Sequence, residues 1–530
     1  MRDDLLDKDR NVIPRWRPVD IAATTGELDM GQSSAMVTID EKGLEDLVSA
    51  WNDHKALPYA TDLMGAAFAL GNVDLAREPA HYILREAPVG AVSSRSLAQR
   101  IIGIEQTEDS TKVPPSSTGN LDSSNIETKV VAPFNMARVR IQWLRKRLLR
   151  EPRNAMLYLD MAHEYSILGY SVKAEQYMFC AINLAPDNRL VLRSAARMYV
   201  HQDNLEKAHS LLKSARSLYR DPWLMSAEIA LANALNRSSR LVRNARQLID
   251  SGKFSPRHLS ELRAALAKLE FEAGKHRKAR KLLRESLETP TENTVAQALW
   301  VANRDSDLDV NPWDFDIPRL YEAKATQARS EGDWNGTVEE SSNWLIDQPF
   351  SSRPAVLGSY VSGLILQEYE LSEAIARYGL YANPHDHMLL NNRAVALAHI
   401  GRLREAEIML HRAMIRPAPQ KETTAVLIAT SGLLLYRQGS TKEGREAYIK
   451  AIEFAHAHGL KDIEAIAAIC MASEDIRVRA LTSQASLDMA IKRMDLIERP
   501  EKGVLCDRLL EDKQRYEKQF DPASGGLRTL

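Results

Sequence analysis

A cysteine with aromatic neighbours is the first candidate for chemistry, in the stretch AEQYMFCAINLAPD at residues 174–187. Cys180 could act as a nucleophile only with a lowered thiol pKa and a base within reach. No histidine lies at a helical spacing from it. Free cysteine commonly serves as a small buried hydrophobe, and Cys470 and Cys506 are distant in sequence. The sequence therefore predicts a packing role for Cys180, no catalytic residues and no disulfide framework.

Histidine pairs and GK dipeptides are the remaining candidates for a metal or nucleotide site. Two histidines that are two residues apart on a helix point to different faces, whereas zinc ligands must converge. The sequences SGKFS (251–255) and AGKHRK (273–278) lack the spacing of a phosphate loop. The sequence therefore predicts no metal, no cofactor and no enzymatic activity. The histidine pairs are His385 with His387 and His456 with His458.

A regular spacing of glycine and proline indicates an internal repeat. Gly169 and Pro186 are 17 positions apart, and the same spacing separates Gly71 from Pro88 and Gly332 from Pro349. The glycine permits a left-handed turn between two helices, and the proline ends the second helix. In a frame that starts at Ala155, small residues at positions 8, 20 and 27 would let two antiparallel helices approach closely. These residues are Ala162, Ala174 and Ala181.

Larger apolar residues complete the frame at positions 4, 7, 11 and 24, as Tyr158, Met161, Tyr165 and Met178. The pattern resembles the tetratricopeptide repeat (TPR), a helix–turn–helix of 34 residues. The resemblance implies an all-α fold, a right-handed superhelix of TPR-like hairpins, or α-solenoid. Further units start at Arg189, Ser260, Pro318, His387 and Ala425, and weaker units lie at 57–90, 223–256, 294–316 and 353–386.

Interruptions of the repeat predict the domain organisation. The stretch 106–129 is rich in Ser, Thr and Pro and has too little apolar surface to order itself, which predicts a flexible linker. The acidic stretch 305–318 contains two prolines and predicts a division into two arcs. The predicted order is an N-terminal tail (1–40), a TPR-like hairpin (41–104), a flexible linker (105–133), a first arc (134–304), an acidic break (305–317), a second arc (318–477) and C-terminal capping helices with a tail (478–530).

Polar side chains on the concave face are the predicted partner-binding residues. In the TPR family the first helix of each hairpin lines this face, and the cations among the matching residues would favour an acidic peptide. Ordinary solvent-exposed side chains explain them equally well. The carboxylate clamp of chaperone-binding members requires Lys and Asn where this sequence has Leu159 and His163, so that clamp is not expected. The predicted set is His163, Arg193, Arg197, His201, Lys268 and Asn391.

A basic stretch between residues 236 and 284 holds fourteen Lys and Arg against four acids. It allows three interpretations: a solvated face or one that pairs with acidic segments of the same chain, a contact with an acidic protein, or a nucleic-acid surface. No RNA-binding motif or row of stacking aromatics accompanies it. The predicted basic patch is Arg237, Arg240, Arg243, Arg246, Lys275, Arg277, Lys278, Arg280 and Lys281.

The whole chain has 530 residues and a formal net charge of -1, so no global field would recruit nucleic acid or a membrane. No signal-peptide pattern and no membrane-length apolar run is found, which predicts a cytoplasmic protein. The segment PRWRP (14–18) either docks to a partner or packs back on the helices. The predicted function is a non-catalytic scaffold that binds a partner protein or peptide in the concave groove, and the alternative is a nucleic-acid-associated regulator that uses residues 236–284.

Overall fold

The computed structural model describes residues 13–19, 41–69, 73–86, 98–99, 101–102, 123–418 and 420–520, and within them every regular element is a helix. The N-terminal unit contains α1 (Glu41–His54), α2 (Leu57–Ala69) and α3 (Val73–Glu86). The first arc contains α4 (Ser123–Arg150), α5 (Ala155–Ile167), α6 (Ser171–Leu184), α7 (Arg189–His201), α8 (Leu205–Ser214), α9 (Pro222–Ala234), α10 (Val242–Asp250), α11 (Pro256–Glu272), α12 (His276–Ser286) and α13 (Glu292–Ala302).

The second arc continues the same pattern of antiparallel pairs. It contains α14 (Tyr321–Glu331), α15 (Trp334–Asp347), α16 (Ser352–Tyr360), α17 (Tyr369–Ala382), α18 (His387–Ile400), α19 (Leu403–Met414), α20 (Lys421–Arg437), α21 (Thr441–Ala457) and α22 (Lys461–Arg477). Two further helices follow it, α23 (Ser483–Ile491) and α24 (Lys502–Phe520). The chain is thus an all-α superhelix of TPR-like hairpins, and the predicted fold class is confirmed.

The hairpin of α5 and α6 shows how the repeat residues pack. Ala162, Ala174 and Ala181 are completely buried, and Met178 fills the seam between the two helices. Small side chains at these positions let the helices approach, and larger ones fill the space beside them. Cys180 is only partly buried and lies beside the exposed ring of Phe179, outside the hydrophobic core. The thiol therefore contributes less to the core than the predicted packing role implies.

Gly169 lies at a contact between the two arcs. Its φ of 74° is left-handed, and a Cβ there would clash with the carbonyl oxygen of Tyr381 at the end of α17. The ring of Phe134 on α4 lies 5.8 Å from that of Tyr378 and 5.3 Å from that of Tyr381, centroid to centroid. These contacts place the start of the first arc on the middle of the second arc.

The hydrophobic interior divides into two main cores. One extends from the N-terminal segment to Ala323, and the other holds Ala325 and most of the second arc, so the division falls within α14. The acidic break lies just before this point and contains a short 3₁₀ turn at Pro312–Asp314. A third core belongs to α1–α3 and is centred on Trp51, which packs edge-on against Tyr82 at 5.0 Å.

The C-terminal helix α24 returns to the beginning of the second arc. Arg508 donates hydrogen bonds to the carbonyl oxygens of Leu364 and Ile365, at 2.7 and 2.8 Å. Carbonyl groups at a helix end lack intrahelical partners and accept such bonds readily. Arg329 on α14 forms an ion pair with Glu501 at 2.7 Å, and both side chains are buried. The second arc is therefore closed on itself by the chain that follows its last repeat.

Parts of several predictions lie outside the described residues, among them Gly71, Pro88 and residues 105–122 of the linker. Helix α4 begins at Ser123, so the last eleven positions assigned to the linker, 123–133, are helical rather than flexible. A helix that is anchored by buried side chains such as Phe134 extends at little further cost. No helix in the described ranges has the length and apolar character needed to cross a membrane.

Candidate functional site

The first candidate site holds a piece of the chain itself. Residues 13–19, here called the N-terminal segment, lie on the first helices of the hairpins, and residues 13–18 are not helical. Pro14 and Pro18 fit this backbone, because proline does not donate to a helix ladder and favours an extended conformation in the residue before it. The predicted tail thus packs back on the helices through its PRWRP stretch, and its contacts identify the surface that receives it.

The tryptophan of this segment is enclosed by an aromatic pocket. Trp16 is fully buried, with its ring 5.0 Å from His163 and 5.5 Å from Phe350. His201 lies 5.4 Å from the same phenylalanine ring, and the guanidinium of Arg197 lies 5.8 Å above it. We call these four array residues the Phe350 pocket. The structure therefore brings together three of the six predicted partner-binding residues, around a residue that the repeat pattern did not single out.

Arg17 is held by two carboxylates from different helices. Its Nε and Nη2 atoms donate to the two oxygens of Asp347 at 2.8 and 2.7 Å, and Nη2 also lies 2.7 Å from Glu292. Glu292 is the first residue of α13, and Asp347 is the last residue of α15. The side chain of Arg17 is only 1% exposed, so its charge depends on these partners.

Arg15 forms the second ionic anchor. It pairs with Glu322 on α14 and donates to Gln348 at 3.3 Å, and Arg353 binds the other oxygen of Glu322 at 2.6 Å. Burial raises the pKa of Glu322, but the charges of Arg353 and Arg15 outweigh burial and lower the pKa to about 2. The carboxylate is therefore ionised at any physiological pH.

Four carboxylates together form what we call the acidic cleft. The backbone N–H of Val19 donates to Asp160 on α5 at 2.7 Å, which completes the set with Glu292, Glu322 and Asp347. The cleft spans α5 of the first arc, α13, and α14–α15 of the second arc. None of its members is among the six residues that were expected to bind a partner, although Glu322 is the fifth residue of the repeat that starts at Pro318, a groove-lining position in the TPR frame.

The second candidate site is a large cavity lined mainly by the second arc and also by residues of α6 and α7. It has a volume of about 1040 Å³, and Arg197, His201 and Asn391 from the predicted set reach its wall. Asn391 is held by Thr430, whose hydroxyl donates to it at 2.7 Å. We call this space the arc-two cavity. Its apolar wall includes Val356, Val395, Val426, Ile463, Ile466 and Leu505.

One end of the arc-two cavity is electropositive. His399 stacks on Tyr369 at 4.1 Å, and burial together with Arg437, Arg477 and Arg508 lowers its pKa to about 3. Glu474 accepts from both Arg437 and Arg477 at 2.7 Å. Arg437 and Arg477 thus bind one carboxylate beside a neutral imidazole, and Arg508 binds the carbonyl oxygens of Leu364 and Ile365. We call this region the electropositive end of the cavity.

Two predicted partner-binding residues are neutralised by their own neighbours. Arg193 forms an ion pair with Glu261 at 2.9 Å and is not part of either site. Lys268 lies 3.7 Å from Glu272 and 5.3 Å from the centre of the Trp300 ring. Both acids lie on α11, so carboxylates on the same part of the superhelix occupy these cations.

Most of the predicted basic patch is also paired within the chain. Glu270 alone contacts Arg246, Lys278 and Lys275, at 2.5, 2.8 and 3.7 Å. Arg280 pairs with Asp305 of the acidic break at 2.9 Å. The observed arrangement corresponds to the interpretation in which the patch pairs with nearby acids. The other pairs are Arg237 with Glu206 and Lys281 with Glu285, and no ion pair among the described residues involves Arg240, Arg243 or Arg277.

The histidine pairs make ordinary local contacts. His387 lies 2.8 Å from the carbonyl oxygen of Ala413, and His456 lies 3.1 Å from Glu464. In the part of the chain that the structure describes, no three His, Cys, Asp or Glu side chains are grouped so that they could hold a metal. Burial raises the pKa of the Cys470 thiol in the cavity wall to about 11, which disfavours a reactive thiolate there.

No family model and no curated protein matches this chain. Similar solved structures include yeast Tom70, with 12% identity, a TM-score of 0.31 and coverage of 88% of this chain and 98% of that chain. The APC/C hetero-tetramer Cut9–Hcn1 has 13% identity, a TM-score of 0.40 and coverage of 88% and 92%. A monomeric IFIT1 mutant with Gppp-AAAA has 13% identity, a TM-score of 0.32 and coverage of 91% and 96%. Similarities this weak do not indicate a partner. The class of protein, a TPR-like helical-repeat protein, follows from the arrangement of the helices themselves.

Proposed function

We propose that the chain is a non-catalytic scaffold that holds a segment of a partner protein in the arc-two cavity. The observation that carries this proposal is the cavity itself, about 1040 Å³ of space on the side of the array formed by the first helices. Helical-repeat proteins use such extended inner surfaces for binding. The wall combines apolar side chains with fixed polar groups such as Asn391, the composition typical of binding pockets.

The electropositive end supports a partner segment with an acidic group. Arg437, Arg477 and Arg508 outnumber Glu474 there, so a carboxylate near His399 would gain favourable electrostatic energy. The proposal keeps the acidic partner that the sequence predicted, but it expects residues of the second arc to bind the acidic group. The segment we expect is amphipathic, with an apolar face on Val426 and Ile466 and an acidic residue at the electropositive end.

A charge placed on the apolar wall tests this function. Val426→Glu would put a carboxylate opposite the apolar face of the partner and should abolish its retention. Ile408→Glu is the matched control, because Ile408 is 54% exposed on α19 and does not line the cavity. Both full-length variants are compared with the wild type in quantitative affinity purification. Proteins retained by the wild type and the control but lost by Val426→Glu are the expected partners.

A photo-crosslinking amino acid at position 426 gives the direct measurement. It should capture the same protein that the Val426→Glu variant loses, and the captured peptide should contain acidic residues. Equal retention by all three chains, with unchanged circular dichroism spectra, would refute binding in the arc-two cavity.

The nucleic-acid alternative is less supported, because neighbouring acids neutralise most of the basic patch. Nucleic-acid binding would weaken steeply with salt. In a gel-shift assay we expect the wild type to cause no shift even at low salt. If it does cause a shift, reversing the charges of the unpaired Arg240 and Arg243 to Glu tests whether they bind the nucleic acid. A cytoplasmic location stays a prediction from the sequence.

A further inference from the structure

We propose that the acidic cleft and the Phe350 pocket form a second binding site, specific for an extended segment with a tryptophan between two arginines, and that the chain's own N-terminal segment occupies it as an exchangeable ligand. A partner protein with a segment of the same chemistry would bind there in trans. The proposal is tested separately from the arc-two cavity, since neither the four carboxylates nor Trp16 lines that cavity, although Arg197 and His201 of the Phe350 pocket reach its wall.

The ionic contacts select arginine over lysine. Two nitrogens of Arg17 bind the two oxygens of Asp347, and Nη2 bridges to Glu292. Only the planar guanidinium presents several donors in this fixed fork. Arg15 uses two nitrogens on two partners, with Nη2 donating to Glu322 and Nη1 donating to the amide oxygen of Gln348. A segment with lysines at these positions would therefore keep its charge and lose most of the geometry.

The apolar contact selects a large aromatic ring between the two arginines. Trp16 is completely buried, with edge-on and tilted contacts to His163 and Phe350. Aromatic pairs in such geometries are favourable beyond the area that they bury. A cavity of about 30 Å³ remains beside Ile13 and Arg15, and it is not lined by Trp16. The fit is therefore close enough for a specific ligand.

The segment resembles a bound peptide more than a part of a repeat. Its contacts are with residues 141 to 333 positions away in sequence, and residues 13–18 form no helix that could join the hairpins. Its specific contacts are two charged anchors, one ring and one backbone N–H. When a protein binds an extended segment, a small number of side chains typically contribute most of the binding energy.

Without a cationic segment, the cleft would hold four carboxylates on facing helices. Within the array, Arg353 pairs with Glu322 at 2.6 Å, and Arg319 lies 3.7 Å from Asp347. Like charges at short range repel each other in a site of low dielectric. The cleft therefore favours a dibasic ligand whenever one is present, whether tethered or free.

The test uses the full-length chain and a labelled peptide of residues 11–21, NVIPRWRPVDI. In the double variant Trp16→Ala/Arg17→Ala the tethered segment loses its two principal anchors, and the free peptide should bind. In the wild type the tethered segment competes at an effective concentration of about 1 mM, so for an intrinsic Kd of about 10 μM the apparent affinity of the free peptide should fall about 100-fold. Fluorescence anisotropy measures both affinities.

Matched peptides define the specificity. A peptide with Trp16→Ala should not bind the double variant, and one with Arg17→Lys should bind about tenfold more weakly. Adding Asp347→Asn to the double variant should reduce binding of the native peptide, which locates the peptide in the cleft. The proposal is overturned if wild type and double variant bind the peptide equally, or if a folded double variant, judged by circular dichroism, does not bind it. Neither result bears on retention of a partner by the arc-two cavity.

Discussion

The buried ion pair between Arg329 and Glu501 allows a quantitative test of how the second arc is closed. The two side chains are 3% and 0% exposed, and both donor atoms of Arg329, Nε and Nη2, lie within 2.8 Å of the same carboxylate oxygen. Removing one partner of such a pair leaves an uncompensated buried charge, which costs about 3–5 kcal/mol. We therefore expect Glu501→Gln to lower the free energy of unfolding of the second arc by about that amount.

The double variant Arg329→Met/Glu501→Leu separates charge from packing. Replacing both members of a buried pair by apolar residues of similar size is often neutral or stabilising. We expect its unfolding free energy to lie within about 1 kcal/mol of the wild type, so the two sites should be strongly non-additive.

Urea denaturation followed by circular dichroism gives these energies, and hydrogen exchange of the α24 amides shows whether the loss is local. A Glu501→Gln variant that loses less than about 1 kcal/mol would refute the reasoning, because the pair would then be solvated. Additive effects of the two substitutions would refute it as well, since they would show that the side chains act independently.

Three further predictions concern single groups. Gly169→Ala should destabilise the chain by several kcal/mol more than Gly274→Ala in thermal denaturation, because both glycines have φ near 74° but only Gly169 has a backbone carbonyl in the space of a Cβ. The folded-state pKa of Glu322 is lowered to about 2, so its contribution to stability should be constant above about pH 4.5 and lost as the pH falls from there towards 2, which protease accessibility of the N-terminal segment should report. Cys470 should react with iodoacetamide at pH 8 at least about tenfold more slowly than Cys180, because burial raises its pKa to about 11.

The repeat could be predicted because its information is local. The spacing of Ala162, Ala174 and Ala181 follows from helix geometry, and all three are buried in the structure as the pattern requires. Two interhelix turns show the same local rule, at Gly169 and Gly332, each with a positive φ. The spacing therefore identifies the hairpin, although neighbouring repeats are needed to bury its apolar faces.

The sites could be predicted only in part because they depend on distant segments. Phe350 follows α15 and was not on the expected concave face, yet it gathers His163, Arg197 and His201 because the superhelix brings α5, α7 and the end of α15 together. Whether a charged side chain is already paired also depends on distant segments. Arg193 and Lys268 were expected to be available to a partner, but each has a carboxylate of α11 beside it.

The two sites differ in the sign of their charge, so a segment that bound to both would have one preferred orientation. The acidic cleft binds arginines at the junction of the arcs, whereas the far end of the arc-two cavity presents Arg437, Arg477 and Arg508 around a neutral His399. Arg197 borders the space beside the N-terminal segment and also the arc-two cavity, so the two sites are neighbours on one surface. A partner segment that filled both would need a basic, aromatic end and an acidic end. It could bind in one orientation only, because the reverse orientation would place like charges together at both ends.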